Sequence, residues 1–461
     1  MEEWKKYKLG EITSKIGSGA TPKGGRDSYL GGNIALIRSQ NVLDFSFMEE
    51  WKEYELGELI TLNSGGTPDK SNKSYWGGDI PWISAKFMYD DYLYSSELKI
   101  SQEGLDNGSR LAPKGSILLL TRGSGLFNRI PVCYVMRDLA YNQDVKCLES
   151  KNKELISTKF LFYWLMGNKN SIGAILETTG IGAGKIDTNR LKNIRISLPP
   201  KEYQQALIGF AESIMHKIEL NRRINDNLEQ QTQALFKSWF VDFEPFRGGK
   251  FVDSELGMIP EGWNIQPISS IFNFQEGPGI RNWQYVNNGT KFINIRCINN
   301  DIINIQNANM ISDEEAQGKY AHFMLKENDI VISCSGTLGR KALVLKEYLP
   351  LCLNTSVIRF TPRINRQLGF LYGYLGSSLF LNKQIELASG SVQANFGPIH
   401  LKGMSIAIPD NNVLNQFSDI VNSIIQKKKN IISESLRLTN LRDSILPKLM
   451  SGKIKIDKLN S

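Results

Sequence analysis

The chain has 461 residues, enough for two or three domains, and its 41% apolar content is that of an ordinary globular protein. The net charge of +8 agrees with a polyanionic partner. No apolar run reaches membrane-span length, the first residues lack a signal core, and the five cysteines are scattered with no CxxC pair. A membrane, export, a disulfide framework and a zinc site are therefore not expected, and a reducing cytoplasm is.

Residues 1–47 duplicate the stretch that begins at Met48. MEEWKKYKLGE is repeated there as MEEWKEYELGE, and GATPKGGRDSYLGGNIALI matches GGTPDKSNKSYWGGDIPWI. The copy stops at Phe47, too short to bury a core of its own. It reads as the truncated start of a domain, with Met48 as the functional beginning.

From Met48 a mixed segment runs through a turn-rich loop, a strand at DIPWISAK and a buried strand at GSILLLT. A short apolar helix follows at STKFLFYWLMGN, then the glycine-rich loop TTGIGAGKIDT. Pro199 and Pro200 then open a long helix predicted to reach Phe246. Its apolar stripe is Leu207, Phe210, Ile214, Ile224, Leu228 and Leu235, with Asn221 at a position where a polar side chain can fix register.

FEPFRGGKFVDSELGMIPEGW is a glycine- and proline-rich linker, and beyond it the order repeats. LKNIRISLPPKEYQQALIGFAESI lies over LKGMSIAIPDNNVLNQFSDIVNSI without a gap, at a shift of 210 positions (401 − 191). The second helix is predicted from about Asn411 to Leu446, with a stripe at Ile420, Ile424, Ile431, Leu438, Leu441 and Ile445. The fold class is therefore α+β: two mixed α/β domains separated by two long helices, paired antiparallel as a coiled coil in a pseudo-two-fold repeat. The expected boundaries are 48–198 for the first domain, 199–246 for the helix and 247–261 for the linker. The second domain takes 262–408, and the second helix with its tail takes 409–461.

No catalytic constellation is legible. GIGAGK lacks the first glycine and the final Ser or Thr of a phosphate loop. His216, His322 and His400 are isolated, and no Asn-Pro-Pro-aromatic run is present.

The GGTP…YWGGDIPWIS run, the LPPKEYQQ helix start and LFKSWFVDFEPF followed by DSELGMIPEGW together resemble specificity subunits of type I restriction–modification systems. The resemblance spans Met48 to the C-terminus. It implies two target-recognition domains, each reading half of a bipartite double-stranded DNA site, with the helices separating them and docking two methyltransferase subunits. Restriction and motor subunits would join that core. S-adenosylmethionine, ATP and magnesium would then belong to the partners, leaving this chain non-catalytic. The alternative is a coiled-coil scaffold or binding protein outside restriction–modification; a self-contained nuclease or methyltransferase lacks its motifs.

Under the resemblance, candidate DNA-binding residues are the basic and polar side chains of loops. In the first domain these are Lys70, Lys73, Tyr75, Lys86, Arg110, Arg122, Arg129, Lys185 and Arg190. In the second they are Arg281, Arg296, Lys319, Arg340, Lys341, Gln393 and Asn395. Arg122 and Arg340 sit in glycine turns that the repeat makes equivalent; arginine pairs with guanine, Gln or Asn with adenine. Trp76 and Trp283 stand among these loop residues, and with Trp82 they are read as core or loop packing in preference to base-stacking platforms. Lys427, Lys428 and Lys429 either touch the DNA backbone between half-sites or form a solvated helix face. Trp239, Phe240, Phe243 and Phe246 read as packing at the helix end, with a share in the methyltransferase dock as a further option.

Overall fold

The computed structural model describes residues 51–127, 129–180, 182–299, 301–388 and 395–454. The duplicated front segment, 1–47, and Gln393 lie outside the described residues.

Each half is built on a sheet whose strands pair antiparallel, apart from one short parallel edge strand in the first half. In the first half the strands are β1 (Ile60–Ser64), β2 (Tyr92–Leu93), β3 (Ile117–Leu120), β4 (Val132–Val135) and β5 (Val145–Ser150), in the order β1-β5-β3-β4-β2. β3 is buried along its whole length, as a run of Ile-Leu-Leu-Leu requires of a central strand. Against this sheet packs helix α1 (Thr158–Gly167), capped by Ser157 and buried from Phe160 to Met166.

The second half repeats this frame with β6 (Phe272–Glu276), β7 (Ile330–Ser333), β8 (Lys341–Leu343) and β9 (Val357–Pro362), in the order β6-β9-β7-β8. Its apolar helix is Leu368–Gly376. The start of each half is stapled to the strand that precedes its long helix: Lys52–Glu55 to Arg195–Leu198, and Asn264–Pro267 to Ser405–Ile408.

The helix α2 (Lys201–Phe240) begins after Pro200, and the Gln204 amide donates to the carbonyls of Pro199 and Leu155. It ends short of the expected Phe246. Phe243 adopts a left-handed φ of 51°, which stops the helix, and Glu244–Phe246 is a separate turn. We label Leu368–Gly376 α3 and the second long helix, Asn411–Met450, α4; α4 is capped by Asp410 and continues past Pro447. The pairing is antiparallel. Asn221 donates to Glu434 and Ser435 at 2.8 and 3.1 Å, Met215 meets Arg442, and Phe236 meets Phe417.

The buried face of α4 differs from the predicted stripe by one position. Leu414, Phe417, Val421, Ile425, Ile432, Leu446 and Leu449 are buried, whereas Ile420 and Leu441 are 46% and 43% exposed. In α2 the buried seam runs through Leu228, Thr232, Phe236 and Phe240, leaving Ile224 and Leu235 half-buried. The cause is a second neighbour. α3 lies so close to α4 that a Cβ on Gly369 would stand 2.5 Å from the Ser418 carbonyl oxygen, and one on Gly373 would stand 3.0 Å from the Phe236 ring. Each long helix thus buries a face set by its partner helix and a domain together. The aromatic cluster at the end of α2 packs as expected, with Phe240 4.8 Å from Phe417 and Phe246 5.2 Å from Trp263.

Candidate nucleic-acid interface

The register of each sheet brings its loops to one end. In the first half Ser64 pairs with Lys146 and Leu120 with Val145, so β1, β3 and β5 meet there. From this end leave the loop carrying Lys70 and Lys73, the turn carrying Arg122, and Gln143. A strand from Gly184 to Ile186 pairs with Arg122–Gly123 and sets Lys185 directly opposite Arg122. Lys146 completes a group of three cations. Its ammonium is held below its ordinary pKa, first by burial and then by the charge of Arg122, and it donates to the Ser64 hydroxyl.

Beside this group an open cleft of 490 Å³ holds Lys70, Lys86, Asn142 and Gln143. Trp76 and Trp82 form its wall, 5.3 Å apart edge to face, and donate to the carbonyls of Asp69 and Gly66. They pack, as expected. The glycines permit the approach of backbones here: a Cβ on Gly65 would stand 2.1 Å from the Tyr141 carbonyl oxygen.

Other candidates of the first half are engaged elsewhere. Arg129 donates to the carbonyls of Met88 and Tyr89 and lies over the Tyr89 ring. Arg190 pairs with Glu177 at 2.9 Å, and Arg110 donates to Asn63. Tyr75 is half-buried and its carbonyl accepts from Ser101, while Lys73 is exposed.

In the second half Ser333, Val357 and Glu276 mark the corresponding sheet end. Ser335 bridges Asn395 there, as Arg122 pairs with Lys185, and Lys185 and Asn395 are 210 positions apart. The expected equivalence of Arg122 and Arg340 is therefore corrected: the turns correspond, but Ser335 occupies the place of Arg122. Arg340 instead donates to the carbonyls of Ile295 and Ile298 at 3.2 and 3.1 Å. Its counterpart is Arg129, which holds Met88, the residue equivalent to Ile298. Arg281, Arg296 and Lys319 are exposed, and Arg296 stands 210 positions from Lys86.

Lys341 is also corrected. It is buried, 2.7 Å from Glu229 on α2 and 3.6 Å from the centre of the Tyr372 ring, so it faces inward and not toward a ligand. Lys428 joins it. Neither reading of the 427–429 run fits Lys428, whose side chain is 4% exposed and pairs with Glu229 at 2.7 Å and Asp301 at 2.5 Å. Lys429 pairs with Glu327, leaving Lys427 exposed.

In this cluster burial alone would raise the Glu229 carboxyl, but the ammoniums of Lys341 and Lys428 hold it well below its ordinary range. Asp301 is raised, chiefly by burial. Lys428 is lowered by burial and raised more by Asp301 and Glu229, for a net upward shift. The cluster fastens the second half to both long helices. The first half is fastened by Arg442 of α4, 2.7 Å from Asp91, the residue 210 positions before Asp301.

A family model described as "Type I restriction modification DNA specificity domain" matches residues 48–230 and again 260–436. The chain belongs to that family. Among proteins similar to it, the type I restriction enzyme MjaIX specificity subunit of Methanocaldococcus jannaschii is 27% identical over 401 residues, 84% of this chain and 89% of that protein. The HindI specificity subunit of Haemophilus influenzae is 25% identical over 365 residues, 66% and 79% of the two chains. A crystal structure of the type I S subunit from M. genitalium covers 88% of this chain and 98% of its own at 18% identity, with a TM-score of 0.43.

For a specificity-family chain, two residues at the loop end escaped sequence reasoning. Lys146 sits at a strand start and reads there as an ordinary outward position, and Gln143 reads as a turn residue. The only sequence signal was their place in YNQDVKCL, the counterpart of LNTSVIRF in the repeat. Trp283 is a further correction: it is 80% exposed and is no part of a core. Among the described residues no helix is long and apolar enough to cross a membrane.

Proposed function

We propose that the chain reads a bipartite double-stranded DNA target, one half-site at the loop end of each half, with α2 and α4 fixing the distance between them. The helices also dock two methyltransferase subunits, through which restriction subunits join. Adenine methylation and cleavage, with S-adenosylmethionine, ATP and magnesium, take place on those partners. Specificity here is geometric and needs no catalytic group in this chain.

The observation that carries this reading is the separation of the two anchors. Arg442 contacts Met215 and Asp91, whereas Lys428 contacts Glu229 and Asp301. From Met215 to Glu229 the helix rises by about 21 Å, at roughly 1.5 Å per residue. Each half is therefore fastened to its own station on one rigid rod.

Inserting four residues after Arg222 in α2 and four after Ser433 in α4 tests it. The insertions lie between the anchors and turn each helix by about 400°, close to one full turn, so the buried faces stay in phase. The anchors should separate by about 6 Å, or one to two base pairs at roughly 3.4 Å each. Sequencing methylated adenines in cells that carry the chain and its methyltransferase subunit should return the same half-sites with a spacer longer by that amount. An active variant with the original spacer would overturn the ruler.

A further inference from the structure

The second half displays an aromatic side chain that its own fold does not use. Trp283 is 80% exposed, so almost none of its apolar surface contributes to stability. It is not carried by a loose segment. The short turn Asn282–Gln284 is held from beneath by Gln284, which is buried. The Gln284 side-chain Oε1 accepts from the Arg281 backbone N–H at 2.9 Å, and its Nε2 donates to Glu315 at 2.8 Å and to the Tyr320 hydroxyl at 3.1 Å. Ile280 and Tyr285, on either side, pack against the buried cluster of Phe292, Ile311, Ala316, Tyr320 and Cys352. Both flanks are fixed, and Trp283 is presented outward with Arg281 beside it.

The repeat gives the turn its position. Its counterpart in the first half is the turn Lys73–Tyr75, and at the shift of 210 positions Lys73 stands in the place of Trp283. That turn runs directly into Trp76, which lines the cleft shared by Lys70 and Lys86. The surroundings indicate the occupant. Arg281, Asn282, Asn287 and Asn288, all within five residues of Trp283, are exposed, and among the described residues Arg281 makes no ion pair. Val286 is the one exposed large apolar side chain beside the indole in that stretch. A protein-docking patch would gather several apolar neighbours, whereas three amides and a free guanidinium in one short stretch with the ring suit base edges and phosphates.

We propose that Trp283 and Arg281 form a DNA contact of the second half, the indole covering a base step and the guanidinium holding a neighbouring phosphate. The inference rests on the DNA-specificity reading above. Side chains that cover or wedge a base step add affinity with little sequence demand. The second half would thus gain through one ring what the first gains through cations.

The test uses the full chain co-purified with its methyltransferase subunit and a fluorescent duplex bearing the site found by methylation sequencing. Trp283→Ala should weaken binding about ten- to a hundredfold and leave the salt slope unchanged, while Trp283→Phe keeps most of the affinity. Arg281→Ala should lower the slope by about one. Complex stoichiometry and melting temperature should be those of the parent in all three. If the parent itself does not bind its site, the DNA-specificity reading falls and this inference with it. If the parent binds and Trp283→Ala binds equally well, this inference alone is overturned. It is equally overturned if Trp283→Ala loses the methyltransferase subunit or melts early, which would make the indole a protein contact or a structural one.

Discussion

The two halves share a backbone frame and distribute their chemistry differently upon it. At the loop end, the first half carries Arg122 opposite Lys185 with Lys146 close by; the second carries Ser335 bridged to Asn395. At the helices, the second half is held by Glu229, Lys341, Lys428, Asp301 and Tyr372 together, whereas the first is held by Arg442 with Asp91 and by Lys159 with Glu212, and its rings Tyr92, Tyr134, Phe162 and Tyr163 pack on one another. A repeated fold therefore constrains strand register and helix contact but not the polarity of what stands on them. The equivalent positions say why: Phe162 stands where Tyr372 does, and Ile218 where Lys428 does.

The largest expected effect probes that anchoring difference. Lys428→Ala leaves Asp301 buried without its ion pair and Glu229 with Lys341 alone, and should cost about 3–5 kcal/mol. At the equivalent half-buried position, Ile218→Ala should cost about 1 kcal/mol. Urea unfolding of both variants measures the contrast, and equal losses would mean that the two anchors are interchangeable.

Next is the approach of α3 to α4. Gly369→Ala places a methyl group against the Ser418 backbone and the Val421 side chain, where nothing flexible can give way. We expect a loss of about 1–3 kcal/mol from overpacking. The first half has Lys159 at that place, paired with Glu212 near the surface, and Lys159→Ala should change stability by no more than about 0.5 kcal/mol. Thermal melts of both variants settle whether close approach is confined to the second half.

The loop ends give a comparison in binding. Arg122→Ala should weaken recognition of one half-site by about 1–3 kcal/mol, and Ser335→Ala should alter the other by about 0.5 kcal/mol or less. Binding to duplexes degenerate at one half-site or the other separates the two. A uniform loss with a shallower salt dependence would make Arg122 a phosphate contact.

The smallest effect is that of pH. Glu229 is held below its ordinary value of 4.5, so its contribution is complete above that value and is lost as the pH falls beneath it. Asp301 is raised above 3.8, so it opposes this trend, favouring the fold as it takes up a proton. In Glu229→Gln the loss of stability on acidification should be shallower than in the parent, as read from melting temperatures between about pH 6 and pH 3. An unchanged slope would show that Glu229 does not govern the acid limb.

Much of the fold was legible because it depends on local rules. Proline pairs, apolar spacing and a gapless shift of 210 positions are sufficient to give two long helices and two like domains, and Asn221 could be placed at the seam from spacing alone. What spacing could not decide was which of two adjoining faces α4 would bury. Ile420, Ile424 and Ile431 form one stripe and Val421, Ile425 and Ile432 the next; both are apolar, one residue apart. Contact with Gly369 on α3 near Ser418, and with Gly167 on α1 near Leu446 and Pro447, chose the second, because there the backbones approach without a side chain between them. The charged residues follow the same division. A row of three lysines reads as a solvated face until distant parts of the chain supply Glu229 and Asp301. Arg340 reads as a free arginine until the carbonyls of Ile295 and Ile298 come within its reach. Periodicity is a property of neighbours in sequence, and the sequence by itself determined what depends on it. Charge compensation joins Lys428 to residues 127 and 199 positions away, so only the tertiary structure could decide it.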